Sequence, residues 1–291
     1  MNHDRTGEAF EIRRILVALD TSPPSMAALK AAAELAGRLR ADLLGLFVED
    51  TALLDLAESP YACEFLYPAA LQAPLSRASM ESKLRALSER ARRALAEVAE
   101  QAKVRWSFRV VRGQVTSEII AAASEFDLLA MGKIGWSLGP PTRMGSTARG
   151  AAASAIPVLL LPGRALLPQA GVLVCYDGSL ASRLAVLAAA QLARPSTSRL
   201  TVLLAARDQG RAAELRREVV ALLEGKNLQV RYRQVGVPEG GNLLREVREE
   251  KADVLVLSSR DLLRDPATLE TLARETETAL LLLGDGTEFE R

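Results

Sequence analysis

The chain opens twice in the same way. Residues 14–25 read Arg-Ile-Leu-Val-Ala-Leu-Asp-Thr-Ser-Pro-Pro-Ser, and residues 171–182 read Gly-Val-Leu-Val-Cys-Tyr-Asp-Gly-Ser-Leu-Ala-Ser. Each begins with an apolar run lacking polar alternation, as a strand covered on both faces requires. Each run ends in Asp, passes through turn and cap residues, and enters an Ala/Leu-rich stretch suited to a helix. Asp20 falls opposite Asp177 and Ser22 opposite Ser179.

The correspondence extends along the chain. Further apolar runs lie at 42–48, 106–111, 127–131 and 157–161, with counterparts at 200–205, 230–235, 253–257 and 279–283. The intervals between most of them suit helices, so strands and helices alternate. The pattern predicts an α/β fold of two doubly wound five-stranded parallel sheets, strand order 3-2-1-4-5, from a tandem repeat that forms a pseudo-dimer. Expected boundaries are a first domain over 1–163, a linker over 164–170 and a second domain over 171–291. The first half carries an extra segment, 51–79, with Tyr61, Phe65 and Tyr67, readable as a lid, a contact surface or a packing loop. The helix after it has a stripe of Met80, Leu84, Leu87, Ala91, Leu95 and Val98, expected to cover its own sheet.

Composition removes several function classes. Lys plus Arg number 37 against 36 Asp plus Glu, which leaves no electrostatic case for nucleic acid or an anionic membrane. Aromatics make up 4%, too few for base-stacking platforms. No apolar run has the length of a membrane span, and residues 1–13 lack the apolar centre of a secretory signal. A cytoplasmic protein is expected, with Cys63 and Cys175 as buried thiols. The single histidine, His3, lies in a polar leader and is a poor candidate catalyst.

The strongest ligand signal follows the fourth strand. Residues 132–146 read Gly-Lys-Ile-Gly-Trp-Ser-Leu-Gly-Pro-Pro-Thr-Arg-Met-Gly-Ser, a Gly-x2-Gly-x9-Gly-Ser spacing between a strand and a helix start. Bare backbone amides approach an anion closely in such a loop. With strand order 3-2-1-4-5, strands one and four are neighbours where the order reverses, so Asp20 and Gly132 converge on one crevice. Gly132 and Gly135 are expected to turn the chain with amides inward, and Gly145 to allow close approach. Ser146 or Thr147 would cap the next helix or meet a phosphate, and Lys133 and Arg143 would add positive charge. Asp20 would accept from a base or ribose hydroxyl, or hold a divalent cation between phosphates; it also suits a plain turn and cap role.

These residues resemble the universal stress protein family. Its ATP-binding members show Gly-x2-Gly-x9-Gly-Ser/Thr after strand four, which this chain matches without gaps. The likeness extends to Leu16–Ser22 at the end of strand one and to the closing Ala155–Leu160. The resemblance implies that Asp20 with its neighbour Thr21, and Val48 near the end of strand two, line an adenosine. It implies that Met131 borders the base, and that Gly132, Gly135, Gly145, Ser146 and Thr147 embrace ribose and phosphates. ATP, with Mg2+ or Mn2+, is the implied ligand. Members also dimerise through strand five, so 157–161 would lie against 279–283 within one chain, giving a monomer built as a pseudo-dimer, or a homodimer of such chains.

The second half lacks the motif. Ser258, Ser259, Arg260 and Asp261 fall opposite Gly132 to Gly135, and Asp261 and Asp265 add negative charge where phosphates would sit. One nucleotide per chain is therefore expected, in the first half. The leading function is a regulatory ATP-binding stress-response protein that acts on a protein partner. The alternatives are a slow ATPase or phosphoryl-transfer enzyme, which lacks Gly-x4-Gly-Lys-Ser/Thr here, and a nucleotide-free scaffold.

Overall fold

The structure, a computed structural model, describes residues 11–59, 63–66, 71–133, 144–162, 171–193, 199–236, 240–258 and 266–284. The first half runs β1 (Arg14–Ala18), α1 (Pro23–Leu39), β2 (Asp42–Asp50), α2 (Thr51–Ala57), β3 (Cys63–Leu66), β4 (Leu71–Pro74), α3 (Arg77–Ala102), β5 (Trp106–Gly113), α4 (Val115–Ala123), β6 (Leu128–Gly132), α5 (Ser146–Ala152) and β7 (Val158–Leu161). The second runs β8 (Gly171–Tyr176), α6 (Leu180–Leu192), β9 (Arg199–Ala205), α7 (Gln209–Leu222), β10 (Gln229–Val235), α8 (Gly240–Glu250), β11 (Val254–Ser258), α9 (Pro266–Glu275) and β12 (Ala279–Leu283).

The expected order 3-2-1-4-5 appears in each half, as β5-β2-β1-β6-β7 and β10-β9-β8-β11-β12. The expectation of two separate sheets is corrected. The chain builds one ten-stranded sheet, because β7 and β12 pair antiparallel at its centre. The register is symmetric: Leu280 faces Leu160, Leu281 faces Leu159 and Leu282 faces Val158. Every residue of both strands is buried, which a fifth strand at a free edge would not permit. The true edges, β5 and β10, carry exposed or half-exposed arginines such as Arg109, Arg112, Arg231 and Arg233.

Helices cover both faces. On one face α1, α3, α6 and α7 pack over Val17, Leu159, Val174 and Leu281. On the other, α4, α5, α8 and α9 pack over Leu16, Leu129, Leu160 and Leu280. Both apolar layers run without a break from one half into the other. Side chains add links: Arg38 of α1 donates to the Leu192 carbonyl at the end of α6 (2.7 Å), and Arg149 of α5 pairs with Glu270 of α9 (3.3 Å).

The 51–79 segment is neither wholly loop nor wholly insertion. It holds α2 and the antiparallel β3–β4 hairpin, and α3 begins at Arg77 behind its cap Ser76. The α3 stripe buries Leu84, Ser88, Ala91, Leu95 and Ala99, whereas Leu87 is 37% exposed. A true 3.6 period selects Ser88 over Leu87. Cys63 is exposed, against expectation, and Cys175 is buried.

Candidate functional site

At the carboxyl end of β1 the chain makes a tight polar turn. Asp20 Oδ1 accepts from the Ser22 amide (2.9 Å) and the Ser22 hydroxyl (2.6 Å). Ser22 in turn caps α1, its Oγ accepting from the Ser25 amide at 3.3 Å. Ser25 Oγ closes the ring by accepting from the Asp20 amide at 3.2 Å. Asp20 therefore does have a turn role, through one carboxylate oxygen. It is also exposed, and among the described residues Oδ2 carries no hydrogen bond. Thr21, between Asp20 and Ser22, has φ 63°. A β-branched residue in the left-handed region is strained by about 1–2 kcal/mol.

Gly132 stands at the end of β6, the strand beside β1. A Cβ there would lie 2.9 Å from the Pro24 Cβ and 3.2 Å from the Pro24 carbonyl carbon. The first turn of α1 therefore sits directly on β6. Gly132 is needed for this approach, and it has no positive φ to explain. The helix that leaves the Asp20 turn is thus in contact with the end of β6, beside the strand-order switch.

Strand alternation sorts the neighbouring residues. Met131 points to the opposite face from Gly132, buried in one cluster with Ala18, Leu46 and Met144, with half-buried Val48 packed against it. The residues implied to border an adenosine are thus gathered at the carboxyl ends of β2, β1 and β6. Met144, which joins them just before Gly145, carried no sequence signal beyond its place in the motif.

The returning chain departs from expectation. The cap of α5 is Gly145, not Ser146 or Thr147, and among the described residues no side chain caps the first amides of the helix. Ser146 is the first helical residue and is exposed. Thr147 Oγ1 accepts from Thr116 Oγ1 of α4 at 3.4 Å. The Gly145 amide donates to the Lys133 carbonyl at 3.4 Å, so residues 133 and 145 meet at the base of the segment between them. Gly135, Trp136 and Arg143 lie outside the described residues.

Lys133 is a correction. Its side chain is 1% exposed and crosses to the second half, where Nζ donates to the Thr276 carbonyl (3.1 Å) and lies 3.4 Å from Thr276 Oγ1. Thr276 follows α9 and precedes β12, on the far side of β7 from β1. Burial pushes the ammonium down from 10.5 to about 8, against partial support from the charge of Glu277. It adds no cation to the crevice beside Asp20. Parity was the available signal: continuing β6, Lys133 falls on the face of Met131, away from α1.

The corresponding place in the second half repeats the turn. Asp177 Oδ1 accepts from the Ser179 amide at 2.9 Å, and Ser179 Oγ accepts from the Ser182 amide at 3.2 Å. There the left-handed position is Gly178, which holds φ 87° without strain. A Cβ on Gly178 would meet Arg211 of α7 at 2.8 Å. Arg211 reaches the Asp177 carbonyl at 3.5 Å and belongs to a cluster around Glu218. Glu218 accepts from the Tyr176 hydroxyl at 2.6 Å and pairs with Arg183 at 3.2 Å. Burial, then the bond to Glu218, raises the Tyr176 phenol far above its ordinary range. Ser258 occupies the register of Gly132: it pairs with Leu283 as Gly132 pairs with Leu161.

The sequence model of the universal stress protein family matches residues 11–162, just over half of the chain and all of the Asp20–Gly145 assembly. The chain belongs to the universal stress protein family. A universal stress protein from Archaeoglobus fulgidus DSM 4304 superposes with a TM-score of 0.71 at 18% identity, covering 94% of this chain and 98% of that one. A functionally unknown protein from Pseudomonas aeruginosa PAO1 gives 0.58 at 16% identity over 94% of this chain and 93% of that one. A putative universal stress protein from Pseudomonas aeruginosa UCBPP-PA14 gives 0.54 at 16% identity over 94% of each. At these identities the likeness bears on the fold. No curated protein sequence matches this universal stress protein. Among its described residues, no helix is long and apolar enough to cross a membrane, and no group of three or more His, Cys, Asp or Glu is placed to hold a metal ion.

Proposed function

We propose that this universal stress protein is a regulatory ATP-binding protein that takes one nucleotide per chain, in its first half. The observation that carries the reading is the contact of Gly132 with Pro24, which sets the helix that follows the strained Asp20–Ser22 turn against the start of the glycine motif. Strain kept at a strand-order switch is a common mark of a ligand site.

In this reading, Asp20 Oδ2 accepts from a ribose or base donor while Oδ1 holds the turn. Val48 and Met131 supply the apolar wall for the base. The Gly132 backbone, the motif glycine Gly135, and the uncapped start of α5 at Gly145, Ser146 and Thr147 face the ribose and phosphates. Amides left without a side-chain cap suit an anion. A divalent cation would enter with the polyphosphate: Mg2+ sites commonly use one or two carboxylates plus phosphates, and Asp20 offers one. The two units, over 1–163 and 171–291, use the β7–β12 pairing as an internal dimer contact. Occupancy acts on a partner only to the extent that ATP binds two conformations unequally.

Purified chain should release adenine nucleotide on heating, at one mole per mole, identified by mass. ATP with Mg2+ at a hundredfold excess over Kd should stabilise the fold by about 2.7 kcal/mol. A flat melting curve with no released nucleotide favours the scaffold reading. Turnover that Asp20→Ala abolishes favours the enzyme.

A further inference from the structure

We propose that Lys133 is a positioning residue through which the second half holds the nucleotide-binding geometry of the first. This rests on the nucleotide reading above. Three bonds meet in this one residue. Its amide donates to the Leu161 carbonyl at the end of β7 (2.8 Å), its carbonyl accepts from the Gly145 amide (3.4 Å), and its ammonium donates to the Thr276 carbonyl (3.1 Å). The first fixes Lys133 to the sheet and the second closes the base of the glycine segment. The third anchors that base in the other half.

The anchor is itself held. Thr276 Oγ1 donates to the Leu272 carbonyl at 2.6 Å, which pins the exit of α9. The same helix reaches the other shoulder of the segment, since Glu270 pairs with Arg149 of α5. The second half thus meets Lys133 just after α9 and meets α5, the helix that starts behind Gly145, from within α9.

The chemistry of the residue argues against a purely packing role. An ammonium that is 1% exposed loses its hydration, and one carbonyl and one hydroxyl replace only part of it. An apolar side chain of the same length would fill the space without that cost. What Met cannot supply is a directed bond to Thr276. A base left loose would have to be ordered on binding, at a cost in affinity, so a fixed base matters more to the ligand than to the fold.

The test compares the full wild-type chain with Lys133→Met and Lys133→Arg. Readouts are ATP–Mg2+ titration calorimetry and, without ligand, hydrogen exchange. Lys133→Met should bind ATP about tenfold more weakly, equivalent to about 1.4 kcal/mol. Its Gly145 amide should exchange faster while the Leu129 amide of β6 stays protected, and its melting temperature at neutral pH should not fall. Lys133→Arg, which keeps a directed donor, should recover most of the affinity and of the Gly145 protection. Wild-type binding with an unchanged Kd in Lys133→Met overturns the inference and leaves the nucleotide reading standing. A wild type that binds no ATP overturns the nucleotide reading, and with it the ligand role assigned to Lys133. If Lys133→Met does not fold, Lys133→Arg decides: restored binding supports the inference, and a folded Arg variant that has lost ATP binding contradicts it.

Discussion

The turn after β1 and the turn after β8 are built alike and finished differently. Both use an Asp that bonds the second residue onward, both cap their helix with Ser, and both place the intervening residue at positive φ. The first turn holds Thr21 under strain and leads into Pro24, which rests on Gly132; the second relaxes that position to Gly178 and is overlaid by Arg211. The scaffold is therefore symmetric in strand order and asymmetric at the strand ends. An Asp-x-Ser turn alone is a structural device. What distinguishes the first is the open carboxylate, the glycine under the helix it leads into and the retained strain.

Substitutions can break that contrast. The largest effect should come from Gly132→Val, whose Cβ would press on Pro24 Cβ at 2.9 Å. It should cost about 1–3 kcal/mol of stability by overpacking, and reduce ATP affinity by roughly a hundredfold, equivalent to about 2.8 kcal/mol, as the turn is displaced. Ser258→Gly at the matching register should leave ATP binding unchanged. Urea unfolding and calorimetry read both.

Lys133 sharpens the contrast through pH. In the fold it gives up its proton near pH 8, in the unfolded chain near 10.5. Below pH 8 both states are charged and the full burial penalty applies. Between these values the unfolded chain binds more protons, so stability rises with pH, by about 3 kcal/mol across the window. Lys133→Met should therefore be at least as stable as wild type at pH 7, and its advantage should shrink by that amount by pH 10.5. Parallel denaturation curves of the two proteins cancel the other titrating groups.

Next, Asp20→Ala and Asp177→Ala should each cost about 1 kcal/mol as their turns lose a charged acceptor. Only Asp20→Ala should weaken ATP binding, by about tenfold or more. Smallest is Thr21→Gly: release of left-handed strain, about 1–2 kcal/mol, offset by the flexibility of glycine, about 0.5–1 kcal/mol, leaves a gain between zero and about 1.5 kcal/mol. Gly178→Thr should be destabilising, since φ 87° strains a β-branched side chain.

Much of the frame could be read from the residues. Strands such as 158–161 and 279–283 are continuous apolar runs, which only a doubly covered interior accepts, and their pairing was implied by the family resemblance. That the pairing fuses both sheets into one is the step the expectation of two sheets missed. Side-chain direction was harder. Lys133 follows a glycine in a motif, so proximity suggested phosphate, yet strand parity carried it across to Thr276. Ser146 has the composition of a cap, but the helix begins one residue earlier and Gly145 takes that place. Thr116 of α4, fixed only by tertiary packing, meets Thr147. These are choices between two faces or one residue of register, where local composition is silent.

The most direct test is calorimetric titration of ATP–Mg2+ into wild type, Asp20→Ala and Asp177→Ala under one set of conditions. This account predicts one site per chain in wild type, the same site intact in Asp177→Ala, and its loss or marked weakening in Asp20→Ala. Two sites in wild type, no site, or a loss caused by Asp177→Ala and not by Asp20→Ala would contradict it.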